Sequence, residues 1–333
     1  MPMRLLVVKT SSMGDVVHAM PVVADILRAL PGTQIDWLVE PRFAAIPRLH
    51  PGVRQVIDLP WRKWRRQLYS GNTWQAMKAL RLRLRSEAYD RVLDLQGLLK
   101  SAVWARQAGA PVAGYDRASI RDPMAAWLYH STAAVPRNVQ AVHRNRCLAA
   151  ALLGYALPGG GMAGGGGAAP GSAPDFGLRA PPPRWVPKSR YAVLIPNASR
   201  AEKLWPERHW VAVGRNLLDQ GWMPVVLWGS DAEQTLAERI AAGCEGDVPP
   251  FLGVGDMAAV LAGAQQVVGL DTGFTHLAAA LGRPTLGVYC DHEPGLAGIT
   301  GPGAVASIGG KGQVPSREAV LALLAQQLRS LGR

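Results

Sequence analysis

Cysteine is scarce in this chain of 333 residues, which holds only Cys147, Cys244 and Cys290. They lie far apart with no Cys-x-x-Cys pair, which excludes a disulfide framework and indicates a reducing compartment. No apolar run approaches the roughly 18 residues that a transmembrane helix needs. The first apolar run, Leu5-Leu-Val-Val8, is too short for the core of a signal peptide. We therefore expect a cytoplasmic protein.

Common nucleotide and metal motifs are also missing. The turn after the first apolar run has no Gly-x-Gly-x-x-Gly, and no Walker A pattern occurs in the chain. The sequence has neither His-Glu-x-x-His nor Asp-x-Asp, and its nearest acidic cluster, Asp291-His-Glu293, is isolated. A metal-dependent transferase normally presents paired carboxylates to Mg²⁺ or Mn²⁺. We expect neither a metal nor another cofactor.

Acidic residues are few in the first half of the chain. Residues 1–150 hold 22 Lys and Arg against 10 Asp and Glu, whereas residues 151–333 hold 14 of each, so the net charge of +12 belongs to the first half. Residues 59–85 contain no acid and eight cations: Arg62, Lys63, Arg65, Arg66, Lys78, Arg81, Arg83 and Arg85. Such a cluster attracts nucleic acid, acidic lipid headgroups or phosphorylated sugars, and the alternative is a solvated charged surface. The neighbouring Trp61, Trp64 and Tyr69 favour a membrane–water boundary.

Strand and helix patterns alternate in two series. Helices are predicted at 16–30, 73–87, 98–107, 141–153, 206–218, 231–242, 257–264 and 316–331. Strands are predicted at 4–8, 34–39, 53–59, 91–95, 191–195, 223–228, 266–270 and 285–289. This alternation predicts an α/β protein with two Rossmann-like domains whose parallel sheets face a central cleft. The Gly- and Pro-rich residues 158–185 form the expected linker between domains 1–157 and 186–333, and it stays open whether the last helix packs back on the first domain.

Polar residues follow the first strand of the first series. Lys9-Thr-Ser-Ser-Met-Gly-Asp15 lies at the expected carboxyl end of that strand, where ligands bind in such sheets. Asp15 is a candidate general base that Lys9 would keep ionised. The equally weighted alternative is that Asp15 only caps the following helix.

Polar residues follow three strands of the second series. Ser199 and Lys203 offer a hydroxyl and a cation that suit a diphosphate leaving group, and Glu233 could accept hydrogen bonds from a ribose or base. Asp271-Thr-Gly-Phe-Thr-His276 joins a strand to a helix, whose N-terminus suits a phosphate. Here too the alternative is that Asp271 or Thr272 is merely an N-cap.

Five segments together resemble the heptosyltransferases of glycosyltransferase family 9, which have the GT-B architecture. They are Lys9–His18, Trp61–Arg66, Asp94–Lys100, Lys203–Trp210 and Asp271–His276. The similarity runs in register over nearly the whole chain. The first two segments favour the branch that adds the first heptose of lipopolysaccharide over the branch that adds the second.

This resemblance implies inverting, metal-independent transfer of L-glycero-D-manno-heptose from ADP-heptose to the inner Kdo sugar of Kdo₂-lipid A. It implies a peripheral position on the cytoplasmic face of the inner membrane, with no nucleic acid and no obligate protein partner. Asp15 would be the base, and the residues that hold the donor would be Ser199, Lys203, Glu233, Leu252, Asp271, Thr272, Gly273 and His276, with Lys203 also catalytic. The acceptor would be held by Lys9, Ser11, Ser12, Arg62, Lys63, Arg65, Arg66 and Arg121.

Two departures and three alternatives accompany the resemblance. Ala198-Ser199 stands where relatives often have two threonines, and Leu252 stands at the position of a Met that would pack on adenine in relatives. One alternative is a family-9 enzyme that acts on a later core acceptor, and a second is a nucleic-acid-binding protein that uses the Arg/Trp segment. A third is another sugar-nucleotide enzyme, although an epimerase would need a Gly-rich dinucleotide loop and a Tyr-x-x-x-Lys pair.

Overall fold

The chain divides into two compact α/β units. A computed structural model describes residues 2–157, 173–330 and 332. The first unit spans Met1–Gly177 and the second Leu178–Arg333, so the division falls inside the stretch 158–185 that was predicted as a linker. The Gly-rich part of that linker prediction, residues 158–172, lies outside the described residues.

The first unit is built on a six-stranded parallel sheet. Its strands are β1 (Arg4–Val8), β2 (Gln34–Val39), β3 (Val53–Asp58), β4 (Arg91–Asp94), β5 (Val112–Tyr115) and β6 (Ser131–Ala133). Its helices are α1 (Met13–Ala19), α2 (Pro21–Ala29), α3 (Ala45–Arg48), α4 (Trp61–Trp64), α5 (Gly71–Ser86), α6 (Leu99–Gln107) and α7 (Ala141–Leu153), with 3₁₀ turns at Pro41–Phe43 and Pro123–Leu128.

The strand order of this sheet creates a point where the chain path diverges. The order is β3-β2-β1-β4-β5-β6, so the connections that leave β1 and β4 run in opposite directions along the sheet. Val8 pairs with Leu38 of β2 and with Asp94 of β4, so these three strands end at the same level. In open parallel sheets, ligands bind in the crevice at such a point.

One predicted helix is two helices in the structure. Residues 16–30 were predicted as one helix, but α1 ends at Ala19 and α2 begins at Pro21. Proline has no backbone N–H to continue a helix and is favoured at a first helical position, so Pro21 begins a new one. The prediction also missed β5 and β6, which are short and contain Gly114 or polar residues in place of an apolar run.

The second unit is built on a five-stranded parallel sheet. Its strands are β7 (Tyr191–Ile195), β8 (Met223–Val226), β9 (Val267–Leu270), β10 (Thr285–Tyr289) and β11 (Val305–Gly309). Its helices are α8 (Glu207–Asp219), α9 (Asp231–Gly243), α10 (Val254–Gly263), α11 (Gly273–Ala280), α12 (Pro294–Ala297) and α13 (Arg317–Ser330), with a 3₁₀ turn at Ala201–Lys203.

This sheet also has a point of divergence, between β7 and β9. The strand order is β11-β10-β9-β7-β8, and Ile195 of β7 pairs with Gly269 of β9. Gly269 is required because an added Cβ would lie 2.3 Å from Oγ1 of Thr275, which packs α11 against the strand. The buried residues Val320 and Leu324 place the last helix, α13, in the core of this second unit. Within the described residues, no helix combines the length and the apolar character needed to cross a membrane.

Candidate functional site

In the first unit, the loops that follow β1 and β4 are bonded to each other at the point of divergence. Oε1 of Gln96 accepts hydrogen bonds from the backbone N–H groups of Thr10 at 2.9 Å and Ser11 at 3.1 Å. Because one side-chain oxygen engages two successive amides, the Thr10–Ser12 loop is fixed relative to the end of β4. Ser11 and Ser12, both predicted to meet the acceptor, lie on this loop.

The end of β4 is itself organised by the fully buried Asp94. Its carboxylate accepts hydrogen bonds from Oγ of Ser101 and from the hydroxyl of Tyr129, both at 2.8 Å, and from the backbone N–H of Gln96 at 2.9 Å. Burial raises the pKa of Asp94, although these donors oppose the shift. Asp94 thereby fixes the turn that presents Gln96.

Asp15, the predicted base, lies in the first turn of α1 and is half-buried. Its Oδ2 atom accepts hydrogen bonds from the backbone N–H of Ser12 at 2.8 Å and from Oγ of Ser12 at 2.9 Å. Burial acts to raise the pKa of Asp15, but the charge of Lys9 and the two Ser12 donors outweigh it and leave the pKa below its ordinary value. Ser12, not Asp15, is the N-cap of α1, and Asp15 caps the helix from the N3 position through the backbone N–H of Ser12. The role of Asp15 as a base stays a prediction.

Lys9 is a buried cation beneath this loop. Its Nζ atom donates a hydrogen bond to the carbonyl of Leu95 at 2.8 Å. Burial lowers the pKa of Lys9, and Asp15 and Asp94 oppose that shift. Since Lys9 faces the protein interior, its effect on a bound ligand would pass largely through Asp15.

Further cations surround the same loop. Nζ of Lys100 lies 3.4 Å from Oγ of Ser11. Its pKa is lowered by burial and by the nearby charges of Arg62, Arg65 and Arg121, while Glu40 opposes the shift. The structure thus brings three of the predicted acceptor residues, Arg62, Arg65 and Arg121, to one region of positive potential.

All four basic residues of this segment, Arg62, Lys63, Arg65 and Arg66, are exposed. Trp61 and Trp64 hold α4 in place by contacting Trp104, with ring centroids 6.5 and 5.3 Å apart. The two tryptophans that were predicted to favour a membrane boundary therefore have a packing role.

In the second unit, the loops that follow β7 and β9 meet through an ion pair. Nζ of Lys203 lies 2.5 Å from Oδ2 of Asp271, and Nε2 of His276 lies 3.3 Å from Oδ1 of the same carboxylate. Burial acts to raise the pKa of Asp271, but His276 and Lys203 outweigh it and hold the pKa well below its ordinary value. Three predicted donor residues thus form one charged group at the point of divergence.

The N-terminus of α11 completes this corner. Thr272 is the N-cap and Gly273 the first helical residue, which confirms Thr272 among the two N-cap candidates. The first N–H groups of a helix have no intrahelical partner, and its dipole is positive at this end. Because Gly273 has no side chain, an anion can approach these groups closely.

The remaining predicted donor residues lie on neighbouring loops and helices. Ser199 is exposed in the loop after β7, and Leu252 is buried just before α10. Glu233 lies in the first turn of α9, and its Oε2 atom accepts a hydrogen bond from the backbone N–H of Gly229 at 2.8 Å. That bond fixes the carboxylate at the end of β8.

Sequence reasoning assigned no role to Gln96, Lys100 or Glu40. Glu40 follows β2, and its Oε1 atom accepts a hydrogen bond from the backbone N–H of Arg62 at 3.0 Å, which anchors the start of α4. Their position in the sequence could have identified them, because each of the three lies within six residues of the carboxyl end of a strand. Across residues 2–157, 173–330 and 332, no group of three or more His, Cys, Asp or Glu side chains is placed to hold a metal ion.

Two parallel-sheet α/β units, each with its polar loops at a point of divergence, are the architecture of the GT-B class of glycosyltransferases. The sequence matches glycosyltransferase family 9 (heptosyltransferase) over residues 77–322, and the chain belongs to this family.

Individual relatives agree with this assignment. Lipopolysaccharide heptosyltransferase 1 of Pseudomonas aeruginosa is 42% identical over 305 residues, which cover 90% of this chain and 82% of that protein. The structure of E. coli heptosyltransferase WaaC with ADP has a TM-score of 0.86 and 36% identity, and the match covers 98% of this chain and 100% of that one. The structure of the same enzyme with ADP-2-deoxy-2-fluoro heptose has a TM-score of 0.82 and 33% identity over 98% of this chain and 100% of that one.

The ion pair at the β7–β9 corner gives a pH-dependent prediction. Asp271→Asn should lower the free energy of unfolding at neutral pH by about 2 kcal/mol, because it leaves the Lys203 ammonium facing a neutral amide. A carboxyl whose folded-state pKa is depressed contributes stability above its ordinary pKa of about 4 and loses it as the pH falls towards the folded value. The difference between wild type and variant should therefore be largest above that pH and shrink below it, as measured by urea unfolding across the acid range.

The matched control is Glu207→Gln, which removes the exposed ion pair with Arg239. Exposed pairs contribute little to stability, so this variant should unfold at the same urea concentration as wild type across the acid range. If the difference in free energy of unfolding between wild type and Asp271→Asn did not change with pH, the pKa of Asp271 would not be depressed.

Proposed function

We propose that this enzyme transfers L-glycero-D-manno-heptose from ADP-heptose to the inner Kdo sugar of Kdo₂-lipid A, with inversion at the transferred carbon and without a metal. The observation that carries the proposal is the Lys203–Asp271–His276 group beside the N-terminus of α11. It lies in a chain that is 36% identical to a heptosyltransferase solved with ADP. We assign the donor to this corner of the second unit.

The donor corner suits a sugar diphosphate for electrostatic reasons. The charges of Lys203 and Asp271 cancel, so the N–H groups of α11 and the hydroxyls of Thr272 and Ser199 supply the attraction for the anion. When ADP leaves, negative charge grows on the β-phosphate. Lys203 is the cation that Asp271 holds beside this charge, and fixed donors of this kind stabilise a transition state without reorganisation.

The acceptor side of the reaction belongs to the first unit. Kdo₂-lipid A carries phosphates and carboxylates, and guanidinium groups bind both in bidentate fashion. Arg62, Arg65 and Arg121 are the cations that the structure brings towards Lys100, and exposed Lys63 and Arg66 extend the same positive field. We assign the acceptor's anionic groups to these residues, with Ser11 and Ser12 at the loop beside Asp15.

The chemical step forms one bond and breaks one bond. The acceptor hydroxyl oxygen bonds to C1 of heptose as the bond between C1 and the β-phosphate oxygen breaks, and attack from the face opposite the phosphate inverts C1. The hydroxyl proton passes to Asp15 and the bonding electrons leave with ADP. A base with a depressed pKa suffices because the hydroxyl becomes acidic as its oxygen bonds to C1.

The acceptor also places the reaction at a membrane. Lipid A is anchored by acyl chains, so we propose that the enzyme works at the cytoplasmic face of the inner membrane as a peripheral protein. The surplus of Lys and Arg in residues 1–150 supports this location, since anionic headgroups attract such a field.

The activity test uses purified protein with ADP-heptose and Kdo₂-lipid A in EDTA. Mass spectrometry should detect acceptor carrying one added heptose, and the amount formed should match that in a parallel reaction with Mg²⁺. Product only with the metal would reject metal-independent transfer. Product only on an acceptor that already carries heptose would assign the enzyme to a later core step.

The role of Asp15 is tested by Asp15→Asn, which keeps an acceptor for the Ser12 donors and removes the charge. General-base catalysis contributes about 10²- to 10⁴-fold, so kcat should fall by at least about 100-fold. Calorimetry should show that ADP binding is retained, because the donor residues lie in the other unit.

The control for this variant is Asp58→Asn, which removes a half-exposed carboxylate that ends β3 and lies 3.5 Å from Arg48. It should leave kcat near the wild-type value. Turnover by Asp15→Asn within a few-fold of wild type would remove Asp15 as the base.

A further inference from the structure

Helix α5 and the turn before it expose apolar side chains among cations. Tyr69 is 89% exposed, Trp74 and Leu82 are each 58% exposed, and Leu68 is 42% exposed. Exposed Lys78 and Arg81 lie on the same helix, and no acid occurs between residues 59 and 85. We call Leu68, Tyr69, Trp74, Lys78, Arg81 and Leu82 the docking face.

Helix geometry places the helical members of the docking face together. Trp74, Lys78 and Arg81 are spaced by four and three residues, so they share one side of α5, and Leu82 is one turn beyond Lys78. The opposite side of the helix carries Leu80 and Leu84, which are buried in the core of the first unit. The docking face is therefore turned away from the residues that hold α5 in place.

The indole of Trp74 is oriented by its own turn. Its Nε1 atom donates a hydrogen bond to the carbonyl of Leu68 at 2.8 Å. The polar atom of the side chain is thus satisfied within the protein, and the rest of the ring is left to the exterior. Exposed aromatic rings beside Lys and Arg suit the boundary between lipid headgroups and acyl chains.

The docking face is distinct from the acceptor residues. Arg62 and Arg65 act on Lys100 near the Thr10–Ser12 loop, whereas the docking face begins at Leu68 and follows α5. Arg83, on another side of α5, is engaged by Gln55 at 3.1 Å. A separate surface is thus available for a partner other than the sugar acceptor.

We propose that the docking face binds the anionic surface of a phospholipid bilayer, with Tyr69 and Trp74 inserted among the headgroups. A bilayer is favoured over nucleic acid because the docking face combines cations with the aliphatic side chains of Leu68 and Leu82, which can be buried among acyl chains. Single-stranded nucleic acid is bound mainly through aromatic stacking and charge and would leave these leucines unused. The proposal deepens the proposed function and rests on it for the lipid-anchored acceptor, to which bilayer docking would bring the enzyme.

The test measures co-sedimentation of the full chain with vesicles of phosphatidylglycerol and phosphatidylethanolamine that contain no acceptor. The double variant Tyr69→Ser/Trp74→Ser should reduce the partition coefficient by roughly tenfold through lost interfacial burial. Lys78→Gln/Arg81→Gln should reduce it by roughly 20-fold at low salt, since each cation near an anionic surface contributes about fivefold. Brominated lipids should quench less fluorescence in Trp74→Ser than in wild type.

Two controls match these variants in chemistry. Trp127→Ser replaces a 76%-exposed tryptophan outside α5. Lys188→Gln/Arg190→Gln removes two exposed cations of the second unit. Both should partition as wild type does. Thermal unfolding establishes that each variant is folded, which is expected because all of these side chains are exposed.

Three outcomes would overturn the proposal: no binding of wild type to anionic vesicles, equal losses in the controls, or binding of duplex DNA or RNA through the same residues in place of vesicles.

A water-soluble, deacylated acceptor separates this result from the proposed function. Docking-face variants should transfer heptose to the deacylated acceptor at the wild-type rate. Their rate should fall only when the acceptor is embedded in vesicles. Absence of heptose transfer in both formats would reject the proposed function while leaving the vesicle measurement valid.

Discussion

The constraint on which both halves of this structure depend is the divergence of the chain between neighbouring parallel strands. At β1 and β4, and again at β7 and β9, two adjacent strands end at one level while their connections leave in opposite directions. The opening between those connections is where polar side chains can face a ligand without disturbing the sheet. Gln96 joins the two loops in the first unit, and the Lys203–Asp271 pair joins them in the second.

Each opening holds a carboxylate that a neighbouring cation keeps ionised. Burial alone would raise the pKa values of Asp15 and Asp271, and Lys9 in one unit and His276 with Lys203 in the other reverse that effect. The two carboxylates then serve different purposes in the proposed reaction. Asp15 takes a proton that becomes acidic during bond formation, whereas Asp271 positions the cation that faces the departing phosphate.

The sequence predicted the architecture well because strands buried on both faces form continuous apolar runs. Arg4–Val8 and Tyr191–Ile195 were predicted with the bounds that the structure shows, and the alternation of elements predicted two parallel sheets. Some short strands were not predicted. Ser131–Ala133 is mostly polar, and Val305–Gly309 has an exposed first residue and lies at the edge of its sheet. A break at Pro21 was also overlooked, because apolar periodicity continues across it.

Only the site residues that lie near the ends of predicted strands could be found from the sequence. Asp15, Lys203 and Asp271 were found because each lies near the end of a predicted strand. The pairing of Lys203 with Asp271 joins residues that are 68 apart in sequence, and the bond from Thr10 to Gln96 joins residues that are 86 apart. Such contacts depend on strand order, which periodicity does not specify.

The proposed chemistry requires Asp15 to be an ionised carboxylate whose pKa Lys9 and Ser12 depress. Carbon-13 NMR of aspartate carboxyls, with the Asp15 signal assigned by its loss in an Asn variant, measures this pKa directly. The titration midpoint should lie below the ordinary aspartate value of about 4, and it should rise when Lys9 is replaced by Met. A midpoint at or above the ordinary value in the native protein would contradict it.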